Sequence, residues 1–270
     1  MRRFAITALA IALALALGAV AGCTKSEDTG PKQQAKVKPP AIAEAGVLRA
    51  GVDLDYPPFA GEDKGKQAGI DIDVARALAA KLGLKLELVS VVASEAATAL
   101  DSKDADVVFS VPFTEQSLAR TSIAGSYIAD GPVFFTTTDE TVTVDSVGAR
   151  AIAAQDGSEA FWALENALGP EVVQGFPTLR EALQSLNDGK VAIVGGDAVV
   201  GAYIARDFPS VQFAGQIEAA HLLGVAVAKD NTALGDAVRA SLDELAADGA
   251  LATVRRTWIG DLPELELPKQ

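Results

Sequence analysis

The sequence predicts an α/β fold divided into two lobes, and three observations predict it. From Glu44 onward, short β-branched runs alternate with Ala- and Leu-rich stretches of helical period, the pattern of largely parallel strands joined by helices. Two stretches, 133–138 (VFFTTT) and 218–227, are extended and carry no helical period, as chain crossing between lobes would. The chain has 270 residues, 49% of them hydrophobic, which is enough for one large domain or two small ones and excludes disorder over most of its length. A single continuous sheet is the alternative that composition leaves open.

The first element is an address. Arg2 and Arg3 form a positive start, residues 4–20 form an uncharged run rich in Ala and Leu, and the run ends in VAGC at 20–23. Residues 1–22 are expected to be a signal peptide. A membrane-spanning helix is the alternative, because the run nears the ~20 residues that a bilayer needs. The small residues before Cys23 resemble a lipobox, in which the cysteine is lipidated and becomes the mature N-terminus, and Cys23 is the only cysteine in the chain. Residues 23–44 are then a lipidated Cys and a flexible tether, since 24–40 hold four Lys, three Pro and two Gln with hardly any apolar material.

Residues 47–52, 84–90 and 107–109 read as strands. Between the first two, 71–82 reads as a helix, with Val74, Leu78 and Leu82 on one face and Asp71 and Asp73 at its positive start. A second series follows: strand 150–154, a helix opened by Ser158, a capping box from Thr178 to Glu181, and strand 191–194 running into Gly195, Gly196 and Asp197. Trp162 and Trp258 fall on helical faces and are expected in the core. The Ala- and Leu-rich C-terminal helices are expected to close the first lobe. The lobes are therefore expected over 45–133 plus 224–270 and over 139–217, with crossings at 134–138 and 218–223.

Charge narrows the function. Lys and Arg number 23 against 36 Asp and Glu, a net of -13. Without residues 1–22, which hold two Arg and no acid, 21 basic side chains face 36 acidic ones, a net of -15. Such a surface repels nucleic acid and anionic lipid, so the expected membrane attachment is the N-terminal lipid alone. With one Cys and one His, an internal disulfide and a Cys/His metal site are excluded. Asp53 and Asp55 read as ordinary acids of an acidic chain rather than a metal site, and His221 as a partly buried structural residue. No cofactor and no metal are expected.

The runs 48–63 (LRAGVDLDYPPFAGED), 68–89, 105–127 (ADVVFSVPFTEQSLARTSIAGSY), 187–205 (NDGKVAIVGGDAVVGAYIA) and 222–260 closely resemble family 3 extracellular solute-binding proteins, the receptors of polar amino-acid ABC importers. The resemblance implies the two-lobed type II periplasmic-binding-protein fold, its lobes joined by two crossing strands and closing on a ligand. It also implies an ABC permease as partner and a monomer.

What the resemblance implies for the site can be set beside simpler roles. Tyr56 and Phe59, in the loop after the first strand, would pack on the ligand's apolar part; either ring could instead plug the core. Asp197 would pair with a ligand ammonium, its other role being an ordinary helix N-cap. Gly157 and Ser158 would offer backbone amides and a hydroxyl to a ligand carboxylate, and a plain N-cap explains Ser158 equally well. The segment from Ser110 departs from the family pattern: aligned by Thr114, the position of the Arg that clamps the carboxylate is Ser117, and the small polar position before it is Pro112. Arg120, one helical turn on, either reaches back into the cleft or is a solvated surface residue. If it does not reach, a ligand without a free carboxylate, or a neutral polar solute, is favoured.

The expected function is therefore capture of a small polar solute, an amino acid or amine, for import, without catalysis. The rival from another class is an enzyme resembling cyclohexadienyl dehydratase on the same fold, whose general acid would have to be an Asp or Glu with a raised pKa. A sensory module is weaker, because no transmembrane or kinase segment follows the domain.

Overall fold

The structure, a computed structural model, describes residues 34–169 and 171–269. The expected signal peptide and Cys23 lie outside the described residues.

The first lobe opens with β1 (Val47–Val52), a hairpin of β2 (Gly61–Asp63) and β3 (Lys66–Ala68), α1 (Ile70–Leu82) and β4 (Lys85–Ser90). It continues through α2 (Ala96–Asp101), β5 (Val107–Pro112), α3 (Glu115–Arg120) and β6 (Thr121–Asp130). The second lobe holds β7 (Pro132–Thr136), β8 (Ile152–Gln155), α4 (Glu159–Leu168), β9 (Val173–Phe176), α5 (Leu179–Asn187), β10 (Ile193–Asp197), α6 (Ala198–Ala205) and β11 (Gln212–Gln216). The chain then returns to the first lobe as β12 (His221–Ala228), α7 (Thr232–Ala247) and α8 (Ala250–Ile259).

Each lobe is built on one five-stranded sheet, in the orders β4-β1-β5-β12-β6 and β11-β7-β10-β8-β9. The β-α-β units pair in parallel, β1 with β4 and β5, and β10 with β8, while the strands next to the crossings, β6, β7 and β12, pair antiparallel. Apolar faces drive this arrangement. In α1 the buried Ile70, Val74, Leu78 and Leu82 share the face seen in the sequence, and α7 buries Leu234, Val238, Leu242 and Leu245. The C-terminal helices α7 and α8 both pack on α1 and close the first lobe as expected.

Two expectations need correction. The segment 134–138 begins inside β7, because Val133 to Phe135 pairs on both edges, with β10 and with β11; the chain passes between the sheets at Gly131, and it returns between Gln216 and His221. Trp162 is 55% exposed, because α4 buries Ala160, Ala163 and Leu164 and turns the indole away from them. Trp258 does pack against the core, and its Nε1 donates to Asp73 at 2.8 Å.

Gly195 and Gly196 in β10 decide how closely the second lobe packs. A Cβ at Gly195 would lie 2.5 Å from Leu164 of α4, and one at Gly196 would lie 2.7 Å from Leu179 of α5. Both helices therefore seat directly on β10, and the strand delivers Asp197 at its C-terminal end.

Candidate ligand cavity

Ligands of open α/β sheets gather beyond the carboxyl ends of parallel strands, and a cavity of about 350 Å³ lies there. The first lobe lines it with Asp53, Tyr56 and Phe59 from the loop after β1, with Asp71 of α1, and with Phe109, Ser110 and Pro112 of β5. The second lobe adds Glu159 and Asp197, the first residues of α4 and the last of β10. Asp130 and His221 line it where the chain crosses, and they face each other in the β6–β12 pairing.

Asp197 precedes α6, yet its side chain does not cap that helix. Asp130 does so from the end of β6: its Oδ1 accepts from the N–H of Val199 at 3.0 Å and of Gly131 at 2.9 Å, while the N–H of Ala198 donates to the Gly131 carbonyl at 2.9 Å. Oδ1 of Asp197 is left buried without a hydrogen-bond partner. Burial, reinforced by the charges of Asp130 and Glu159 and opposed by His221, pushes the Asp197 carboxyl up to about 7. Asp130 is pushed up to about 6, burial outweighing its backbone hydrogen bonds.

A second network lies at the first-lobe wall. Asp71, 1% exposed, accepts from the Ser110 hydroxyl at 2.7 Å and from the Tyr127 hydroxyl at 2.5 Å, and Tyr127 in turn accepts from the Ser110 N–H at 2.8 Å. Burial pushes Asp71 up to about 6 against the two hydroxyl donors, with the Asp53 charge adding to the rise. Ser110 has φ 56°, the left-handed region that side-chain-bearing residues rarely adopt, and these hydrogen bonds hold it there. Tyr56 and Phe59 stack with ring centroids 5.4 Å apart, and the Tyr56 hydroxyl is pushed up to about 12 by desolvation and by Asp197, Asp130, Asp53 and Glu159.

The other residues singled out in the sequence are placed as follows. Ser158 caps α4, its Oγ accepting from the Phe161 N–H at 3.1 Å, and Gly157 beside it adopts φ 71°. Thr114 caps α3 by accepting from the Ser117 N–H at 3.2 Å. Thr114, Ser117 and Arg120 line a neighbouring hollow that shares Ala93 and Pro112 with the cavity, so the exposed Arg120 does not line the cavity. No Lys or Arg lines it among the described residues. Reasoning from sequence missed Asp71, Asp130 and Glu159 as cavity residues and read His221 as structural. A usable signal existed for Asp130, a lone acid inside the apolar run YIADGPVFF.

The polar lining thus consists of carboxylates, a serine hydroxyl and one imidazole beside aromatic rings. Such a set can hold a compact cation or polar solute.

Residues 48–261 match the model of bacterial extracellular solute-binding proteins, family 3. The chain is 25% identical over 260 residues to the L-cystine-binding protein TcyA of Bacillus subtilis (strain 168), covering 94% of this chain and 97% of that one. Among solved structures it is similar to an ancestral cationic amino acid solute binding protein, with TM-score 0.70 and 26% identity over 79% of this chain and 96% of the other. It shares its fold with the L-cystine solute receptor of Neisseria gonorrhoeae in the unliganded open conformation, with TM-score 0.70 and 22% identity over 83% and 95% of the two chains. The two sheets, the double crossing and the cavity between them are those of a type II periplasmic binding protein, and the chain belongs to the bacterial extracellular solute-binding proteins of family 3.

Proposed function

We propose that this chain is the lipid-anchored receptor of an ABC importer, which captures an amino acid or related amine by closing its lobes and performs no chemistry. The observation that carries the reading is Asp197: a carboxylate freed from capping by Asp130 and turned into an aromatic-lined cavity between the lobes. A ligand ammonium there would gain a charge-assisted bond worth ~1.5–3 kcal/mol. Ligand contacts to Tyr56, Phe59 and Ser110 on one side and Asp197 on the other would stabilise the closed state, by as much as the ligand's preference for it. The named relatives bind cystine or cationic amino acids, in keeping with this reading.

The attachment rests on sequence. Cys23 would be acylated after loss of 1–22, and the tether would be shorter than the expected 23–44, because Val37 and Ile42 are buried in the core and the Ala43 N–H donates to Asp106. No helix among the described residues is long and apolar enough to cross a membrane. The body would act as a monomer that presents both lobes to its permease.

The dehydratase-like alternative has one feature in its favour, the raised pKa of Asp197. Against it, an anionic substrate would enter a cavity whose lining, among the described residues, holds five acids and no Lys or Arg. Thermal-shift screening of the full chain against amino acids and amines tests the proposal, since a ligand at 100 times its Kd stabilises by ~2.7 kcal/mol. A hit that also makes the particle more compact in small-angle scattering supports it. The absence of any hit, or a hit with an unchanged scattering profile, overturns capture by closure.

A further inference from the structure

Resting on the reading of this cavity as the ligand site, we infer that its occupant is an organic cation without a carboxylate: a decarboxylated amine or guanidine rather than an α-amino acid. Beside each place where a carboxylate would be received stands one of the protein's own acids. Three helix N-termini open on the cavity, and N-termini are where backbone amides and the helix dipole favour an anion. At α1 the first turn carries Asp71, and the N–H groups of Ile70 and Asp71 donate to the carbonyls of Pro58 and Phe59. At α4 the first residue is Glu159. At α6 the amides of Ala198 and Val199 are satisfied by Gly131 and by the Asp130 carboxylate, and Asp197 stands in front of them.

No side-chain cation is at hand either. Arg120 lines the neighbouring hollow, and no Lys or Arg lines the cavity among the described residues. A zwitterion could place its ammonium on Asp197, but its carboxylate would then lie against Asp53, Asp71, Asp130 or Glu159. A bare cation meets only favourable charge, together with the exposed ring of Tyr56, which stacks on the core-buried Phe59 and suits an ammonium or guanidinium. The unpartnered Oδ1 of Asp197 is the independent sign that a donor from outside the chain belongs here.

The test uses matched pairs that differ only in the carboxylate: agmatine with arginine, cadaverine with lysine, and putrescine with ornithine, each titrated calorimetrically into the full chain. The decarboxylated member should bind at least tenfold more tightly in every pair that binds. An amino acid that binds as tightly as its decarboxylated partner, or more tightly, overturns the inference and leaves the receptor reading intact. Binding of glutamine or another neutral amino acid with no binding of any pair overturns both this inference and the cation-anchoring role of Asp197. If neither the pairs nor the twenty amino acids bind, the cavity is not an amine or amino-acid site at all.

Discussion

Asp130 caps helix α6 in place of Asp197, the residue that directly precedes the helix. This exchange separates two tasks that one N-terminal aspartate usually combines, holding the helix and facing outward. The capping acid is buried, 7% exposed, and the outward-facing acid is left with an unpaired oxygen. The two can therefore be perturbed one at a time.

Asp130→Ala should destabilise the fold by about 0.5–2 kcal/mol, the usual cost of a lost cap. Asp130→Asn keeps an acceptor for the Val199 N–H and should recover most of that loss. Chemical unfolding of the two variants beside the parent measures both. Equal loss in the two would show that the charge of Asp130, rather than its acceptor oxygen, matters.

Asp197→Ala should leave α6 and the unfolding transition almost unchanged, because Asp130 still caps. Affinity for an amine ligand should fall by ~1.5–3 kcal/mol, roughly tenfold to over a hundredfold. Calorimetric titration that gives the parent affinity in this variant would remove Asp197 from the site.

The ligand-free fold should become more stable as pH falls from 8 towards 5. Asp71 and Asp130 at about 6 and Asp197 at about 7 all lie above the ordinary 3.8, so the folded chain binds these protons before the unfolded chain does. The penalty of holding the charged forms is present above pH 7 and is relieved as pH falls through these values. Cation affinity should run the other way, weakening as pH falls from 8 to 6. Asp197, faced by Tyr56, Asp130, Glu159 and His221, must be charged to hold the ligand. Melting temperature and affinity measured across pH 5–8 check both slopes, and a pH-independent affinity would argue against a carboxylate anchor at Asp197.

Tyr127→Phe removes the donor to Asp71 and the acceptor for the Ser110 N–H. It should cost about 1–3 kcal/mol, the price of leaving buried polar groups unsatisfied. Ser110 should then lose its left-handed backbone, and ligand affinity should drop alongside stability. Unfolding and titration of one preparation show whether the two losses go together.

Cys23→Ala should yield a precursor that takes up no lipid label, and any processed body should leave the membrane fraction. Unchanged labelling and mass would refute the lipobox reading.

Residue period and local chemistry made much of this protein legible before folding. The helical face of Val74, Leu78 and Leu82, the caps at Ser158 and Thr178, and the strand that carries Gly195, Gly196 and Asp197 all depend on neighbours a few positions apart. The α/β alternation followed from these, and so did the place of Asp197 at a strand end. The sequence also marked residue 117 as lacking the expected arginine.

Only the tertiary structure decided what surrounds that aspartate. Asp71, Asp130 and Glu159 stand 126, 67 and 38 positions from Asp197 in the chain, yet all four acids line one cavity. No local period encodes such a meeting, because the two sheets and the crossings between them bring it about. The same holds for Arg120: a helical-face argument placed it within reach, and the packing of α3 set it in the neighbouring hollow. Burial, reinforced by the long-range convergence of like charges, raises the pKa of Asp197, and both exist only once the chain has folded.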